Sequence, residues 1–202
     1  MTVQLCVATK KDLDKCAEII AQSFGPVEPT LRWYFPQQPS PQNLLAIVHI
    51  WMETAYHDGT LITAKLNESA YELPRQIVGV AIWHKENSTK TLRFSELWKL
   101  WQRLWPLMGI HTWRYFYEAW AAQRARGNGK QCYLAGIAVS EHARGQGIAR
   151  RLISAPPCAE LPLVLECREE LVPFYASHGF RVENNYRLPG VTKMYSMRKE
   201  FN

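Results

Sequence analysis

Residues 132–155 read C-Y-L-A-G-I-A-V-S-E-H-A-R-G-Q-G-I-A-R-R-L-I-S-A, and the fold turns on this stretch. Its first eight residues are a continuous apolar run without period-2 alternation, the pattern of a central strand covered on both faces. The segment I-A-R-R-L-I-S-A reads as a helix that must stop near Ala155, because Pro156 and Pro157 follow. A second buried strand, L-P-L-V-L-E-C, occupies residues 161–167. The interval between the strands, about 20 residues, leaves room for a parallel crossover with a helix in it.

Between the strand and its helix lies Arg144-Gly145-Gln146-Gly147-Ile148-Ala149. Glycines there let the backbone turn tightly and approach a ligand, while the first-turn N–H groups of the helix lack partners of their own. With the cation Arg144 beside them they favour a phosphate, above all a pyrophosphate that accepts several backbone hydrogen bonds at once. The Gly-Lys-Ser/Thr ending of a P-loop and the G-x-G-x-x-G spacing are both missing. On its own such a turn also serves as a plain strand-to-helix connection.

Working outward, Val3–Val7 reads as a strand and Lys10–Ser23 as a helix, with Leu13, Ala17, Ile20 and Phe24 at helical spacing, ended by Gly25-Pro26. A Pro-rich loop through Pro41 precedes a helix over Gln42–Tyr56, the turn Asp58-Gly59 and a strand near Thr60–Lys65. Ile77–His84, rich in β-branched residues, is a stronger strand. Leu97, Trp101, Leu104 and Met108, and then Trp113, Phe116, Tyr117 and Trp120, predict two amphipathic helices broken near Pro106 and Gly109. Past the second buried strand, Pro173 opens a short helix that Gly179 closes, and strands follow at Phe180–Glu183 and Thr192–Arg198.

The 202 residues suit one domain, with a Trp-rich helical insertion at about 90–128. Hydrophobic residues at 47% and charged residues at 21% exclude disorder and coiled coil. No apolar run reaches the roughly 18 to 20 residues of a spanning helix. The opening M-T-V-Q-L-C-V-A-T-K-K-D lacks a secretory pattern, so a cytoplasmic home is expected. Cys6, Cys16, Cys132, Cys158 and Cys167 are too widely spaced for a C-x-x-C pair and read as core thiols of a reducing compartment. The six histidines form no ligand cluster, so no metal is expected, and no G-x-S-x-G elbow is present.

Charge is uneven. Between residues 90 and 130 stand eight basic residues against two acidic ones, an excess equal to the net charge of the whole chain, +6. Such a segment attracts polyanions, whether nucleic acid, anionic lipid or a phosphorylated cofactor.

With these motifs in place the sequence resembles the GNAT superfamily of acyl-CoA-dependent N-acetyltransferases, whose signature is Q/R-x-x-G-x-G/A between a central strand and a helix. Arg144, Gly147 and Ala149 fill those places, G-I-A-V at 136–139 is similar to the family's splayed strand, and P-F-Y-A-S-H-G-F at 173–180 to the segment ending in Y-x-x-x-G-F. A-T-K-K-D-L-D-K-C-A-E-I-I resembles a family opening. The resemblance implies a single α/β (α+β) domain with a mixed, mostly antiparallel twisted sheet splayed between two central parallel strands, and helices on both faces. It implies acetyl-CoA as co-substrate, with Arg144, Gly145, Gln146, Gly147, Ile148 and Ala149 cradling the pyrophosphate. Ile137, Ala138 and Val139 would pair with the pantetheine arm like an added strand.

The chemistry so implied is direct attack of an amine on the thioester in a ternary complex, which needs an unprotonated amine, a stabilised oxyanion and a proton for the thiolate. Tyr175 holds the place of the family's proton donor. Glu166, near the C-terminal end of its strand, is the best carboxylate for a base, because ligands of such sheets gather at strand ends, although a strand-end Glu also serves to pair with an arginine such as Arg168. His84, His142 and His178 are further, weaker candidates. A small-molecule amine is expected rather than a protein, with no nucleic acid, and a homodimer fits the resemblance. Two other readings stay open: a catalytically silent CoA-binding regulatory protein, and a basic Trp-rich binder of nucleic acid or of a membrane surface.

Overall fold

The computed structural model describes residues 2–25, 29–35, 39–57, 61–67, 76–86, 94–127, 129–189 and 193–200. The turn expected at Asp58-Gly59, and Lys90 and Arg93 of the basic segment, lie outside them. Seven strands form one sheet: β1 (Thr2–Val7), β2 (Leu61–Asn67), β3 (Gln76–Glu86), β4 (Gln131–Val139), β5 (Leu163–Arg168), β6 (Arg181–Arg187) and β7 (Lys193–Lys199), in the order β1-β2-β3-β4-β5-β7-β6. Every neighbouring pair is antiparallel except β4 and β5. Among the described residues the α-helices are α1 (Leu13–Phe24), α2 (Pro29–Tyr34), α3 (Pro41–His57), α4 (Phe94–Met108), α5 (Thr112–Arg126), α6 (Ile148–Ile153) and α7 (Val172–Ala176).

Alternation along the strands divides the core into two layers. On one face Val80, Ile82 and Ala138 pack with Ile20 of α1, Ile47 and Met52 of α3, and Leu104 and Met108 of α4. On the other, Ala81, Trp83, Leu134, Leu165 and Cys167 pack with Ile148 and Leu152 of α6 and with Tyr175 of α7. Helices thus cover both faces. Cys16, Cys132, Cys158 and Cys167 are buried free thiols and Cys6 is half-buried, as the composition suggested.

Two local features depart from the expectations, and a third agrees with the packing of the apolar helical faces. The Pro-rich segment contains a helix, α2, because a proline at a first helical position costs no hydrogen bond. Pro106 does not break α4; the helix runs on to Met108 and ends where Gly109 takes φ +55°. The Trp-rich insertion is structural on its inner side, for Ala121, Ala122 and Ala125 of α5 are buried and α5 lies over β5, β6 and β7. Small residues allow that close approach of helix to sheet.

The parallel pair decides where a ligand fits. β4 and β5 pair only from Cys132–Leu163 to Leu134–Leu165. Beyond that point β4 stays on β3 as far as Val139, while β5 stays on β7 as far as Arg168. The sheet therefore opens into a fork, and residues 135–139 of β4 face it with an edge that no strand occupies.

Candidate active site

At the open end of the fork the chain passes from β4 through a turn into α6. Gly145 and Gly147 hold φ of +77° and +73°, the left-handed region that side chains disfavour, and both have open space where a Cβ would project. Gly147 is the residue immediately before α6. A cavity of about 470 Å³ lies against this turn. Its walls include Val139, Arg144, Ile148 and Arg150 on one side and Phe174 and His178 on the other. Gly145, Gly147 and Ala149 line it too. Gln146 does not; its amide lies 3.5 Å from the His142 carbonyl. The cavity is thus bounded by two cations and by glycines with exposed backbone, a setting that fits a phosphate group.

α7 forms the opposite wall. Tyr175 is 7% exposed and its ring meets Phe174 and Phe180 edge-on at 5.1 and 6.0 Å. Burial pushes its phenol well above the ordinary value, with the nearby Cys167 adding to the effect. No hydrogen bond to its hydroxyl comes from the described residues. The arrangement leaves a protonated phenol free to donate to a ligand.

Glu166 is the first β5 residue past the last β4–β5 pair. Strand alternation turns it away from the Tyr175 layer and toward α5. There Arg126 Nη1 donates to Glu166 Oε1 at 2.6 Å, and both side chains are nearly sealed from water. The Arg126 guanidinium also lies 4.0 Å from the Tyr133 ring centroid. Burial, reinforced by the Glu166 charge, raises the phenols of Tyr133 and Tyr186. Nearby, Tyr34 of α2 donates a hydrogen bond to Glu118 of α5, and burial pushes Tyr115 up to about 12. His84, paired with Tyr133 in the β3–β4 ladder, stacks on its ring at 6.2 Å. His142 is exposed on the turn.

The sequence reading missed Arg126, Glu118 and Tyr34. Nothing local could have found them, since each meets its partner across 40 or 84 residues of chain. Among the described residues no group of His, Cys, Asp and Glu is arranged to hold a metal ion.

Residues 110–182 match the acetyltransferase (GNAT) domain model. Over 98% of this chain and 96% of its own, the histone acetyltransferase HPA2 and related acetyltransferase from Corynebacterium glutamicum superposes with a TM-score of 0.74 at 24% identity. This is a GNAT fold. Arylalkylamine N-acetyltransferase 2 from Aedes aegypti shares it over the full length of both chains, with a TM-score of 0.70 and 16% identity. So does the polyamine N-acetyltransferase of Drosophila melanogaster, over 99% of this chain and 100% of its own, at 0.67 and 13%. At these identities the likeness is one of fold. No curated protein sequence matches the chain. The GNAT match includes α5, so the second half of the Trp-rich insertion falls within the matched region, together with the turn at Arg144–Ala149, β5 and Tyr175.

Proposed function

We propose that the protein transfers an acetyl group from acetyl-CoA to a small amine by direct attack within a ternary complex. The observation that carries this reading is the conjunction of three parts: a cation- and glycine-lined cavity, a strand edge leading from it that is unpaired among the described residues, and, one residue from the wall residue Phe174, the buried phenol of Tyr175. The groups of acetyl-CoA fit these parts in order. Arg144 and the backbone from Gly145 to Ala149, with Gln146 completing the turn, take the pyrophosphate. The fork-facing N–H and C=O groups of Ile137 and Val139, on either side of Ala138, which faces β3, pair with the pantetheine amides as a strand would.

The thioester then lies in the fork, between Tyr175 on one face and Glu166 on the other. Attack of the amine nitrogen forms the amide bond and expels a thiolate; Tyr175 supplies the proton that the sulfur needs. Its buried phenol stays protonated across the neutral range, as a donor must. We assign to Glu166 the removal of the amine's proton, directly or through water. Arg126 holds this carboxylate in place at the fork. The aromatic and acidic side chains gathered near Glu166, namely Tyr34, Tyr133, Tyr186 and Glu118, suit a cationic amine with an apolar body. The arylalkylamine and polyamine enzymes among the structural neighbours agree with that class. Among the described residues no helix is long and apolar enough to cross a membrane.

Calorimetric titration of acetyl-CoA into the wild type and into Gly147→Glu tests the reading. Binding in the wild type that the substitution abolishes supports it, because the carboxylate would enter the space the phosphates need. A panel of arylalkylamines and polyamines with a thiol-detection assay then tests turnover. Binding without transfer to any amine would replace the enzyme by a CoA-binding regulatory protein, and no binding would end the proposal.

A further inference from the structure

Opposite its buried alanines, the α4–α5 hairpin turns large apolar side chains outward. Trp98 and Trp105 stand seven residues apart on α4, and Trp113, Tyr117 and Trp120 at four- and three-residue steps on α5, so each set occupies one helical face. Between them Ile110, at the tip of the hairpin, is 67% exposed, and Trp120 and Trp105 are 56% and 45% exposed. The rings pack against one another. Trp113 meets Tyr117 at 6.3 Å, Tyr117 meets Trp120 at 5.9 Å, and Trp105 stacks on Trp101 at 5.5 Å. A soluble surface does not gather so many large apolar side chains without a use for them.

Among the described residues two unpaired cations stand beside the patch. Lys99 and Arg124 are exposed on the same two helices, with the Arg124 guanidinium 5.6 Å from the Trp120 ring, while Arg103 pairs with Glu53 of α3 at 2.5 Å. Glu118 is turned inward to Tyr34. Arg114 is also drawn inward, donating to the Trp33 carbonyl at 2.7 Å while the Trp33 indole donates back to the Arg114 carbonyl at 3.1 Å. That reciprocal pair joins α5 to α2. Ile110 at the tip is more exposed than the rings on either side of it, which suits entry into a soft interface. Tryptophan and tyrosine with flanking lysine and arginine are the side chains that prefer the headgroup layer of a bilayer.

We propose that the outer face of the α4–α5 hairpin docks on an anionic membrane surface, with Trp105, Ile110 and Trp120 entering the headgroup layer and Lys99 and Arg124 meeting lipid phosphates. This attachment is separate from acetyl transfer: the docking side chains lie outside the cavity and the fork.

The test is co-sedimentation of the full chain with vesicles of phosphatidylcholine alone and of phosphatidylcholine with about one-third phosphatidylserine. Binding should require the anionic lipid and fall as salt rises from roughly 0.1 to 0.5 M. The substitutions Lys99→Glu and Arg124→Glu together should weaken it about thirtyfold or more, at about a fivefold loss for each cation removed from the surface. Trp105→Ser, Ile110→Ser and Trp120→Ser together should abolish it and remove the blue shift of tryptophan emission on adding vesicles. Unchanged circular dichroism and acetyl-CoA affinity in both variants show that only the surface changed. Absence of binding to anionic vesicles overturns the proposal, as does binding that both sets of substitutions leave intact. So does sedimentation showing that the patch joins two copies of the chain and that the dimer ignores vesicles.

Discussion

Arg126, the last residue of α5, reaches Glu166 of β5 at 2.6 Å, with the two side chains only 7% and 6% exposed. The pair ties the helical insertion to the strand that borders the fork. Removing one partner strands a buried charge, whereas removing both does not. Arg126→Met should therefore lower stability by about 3–5 kcal/mol, and the double variant Arg126→Met, Glu166→Leu should recover most of that loss. Urea unfolding of the two single variants and the double variant measures the coupling. A double variant no more stable than Arg126→Met would mean that packing, and not charge, holds α5 in place.

Tyr175→Phe keeps the ring contacts with Phe174 and Phe180 and removes only the hydroxyl. Turnover should fall about a hundredfold while the affinity for acetyl-CoA stays within about twofold. Because burial holds the phenol above its ordinary value, the wild-type rate should not decline through Tyr175 ionisation below about pH 10. Steady-state kinetics across pH, with single-turnover measurements to isolate the chemical step, would expose an unchanged rate and so remove Tyr175 from the acid role.

Gly79 of β3 backs α6 and the turn at Arg144–Ala149. A Cβ there would lie 3.0 Å from Ile148 Cγ2 and 3.1 Å from Leu152 Cδ1, so any larger residue pushes on α6. Gly79→Val should cost about 1–3 kcal/mol and weaken acetyl-CoA binding about tenfold without touching the ligand. Gly136→Ala, whose Cβ would meet Ile82 at an ordinary 3.6 Å, is the comparison for stability. Equal stabilities for the two variants would show that α6 gives way freely.

Asp12 joins the start of α1 to β2. It accepts from the Thr9 backbone N–H and hydroxyl at 2.8 Å each, and from Lys65 Nζ at 2.9 Å. Burial raises its carboxyl, but the Thr9 N–H, Lys65 and the Thr9 hydroxyl outweigh that and hold it below the ordinary value. A depressed folded value means that the stabilisation is present in full above the unfolded value near pH 4 and is lost as pH falls through the lower folded one. Asp12→Asn should cost about 1–2 kcal/mol at neutral pH and nearly nothing at the acid extreme. Unfolding curves of both proteins from pH 7 down to the acid limit would reveal a constant difference if the carboxylate charge were idle.

Much of the fold was legible because it rests on local signals. The glycines at 145 and 147 mark a backbone that only they adopt easily, and unbroken apolar runs mark β4 and β5. α2 was hidden because its proline sits where helices tolerate one and its few turns carry no periodicity. Pro106 was overread because α4 carries it inside its last turn, while Gly109 supplies the actual stop. The site divides in the same way. Its phosphate-side residues are contiguous in sequence, so composition and order reveal them. The environment of Glu166 is assembled from α5, β4 and β6, and a sequence holds no local record of that meeting.

A sheet that parts at its centre is a wall with a slot in it. In the proposed reaction the two reactants would meet in that slot, one along the strand edge at residues 135–139 and the other on the side of Glu166. Neither would then need the other's doorway to arrive or to leave. Such an architecture leaves the order of entry and departure to the affinities of the two partners, and it makes a detour through a covalently loaded side chain unnecessary.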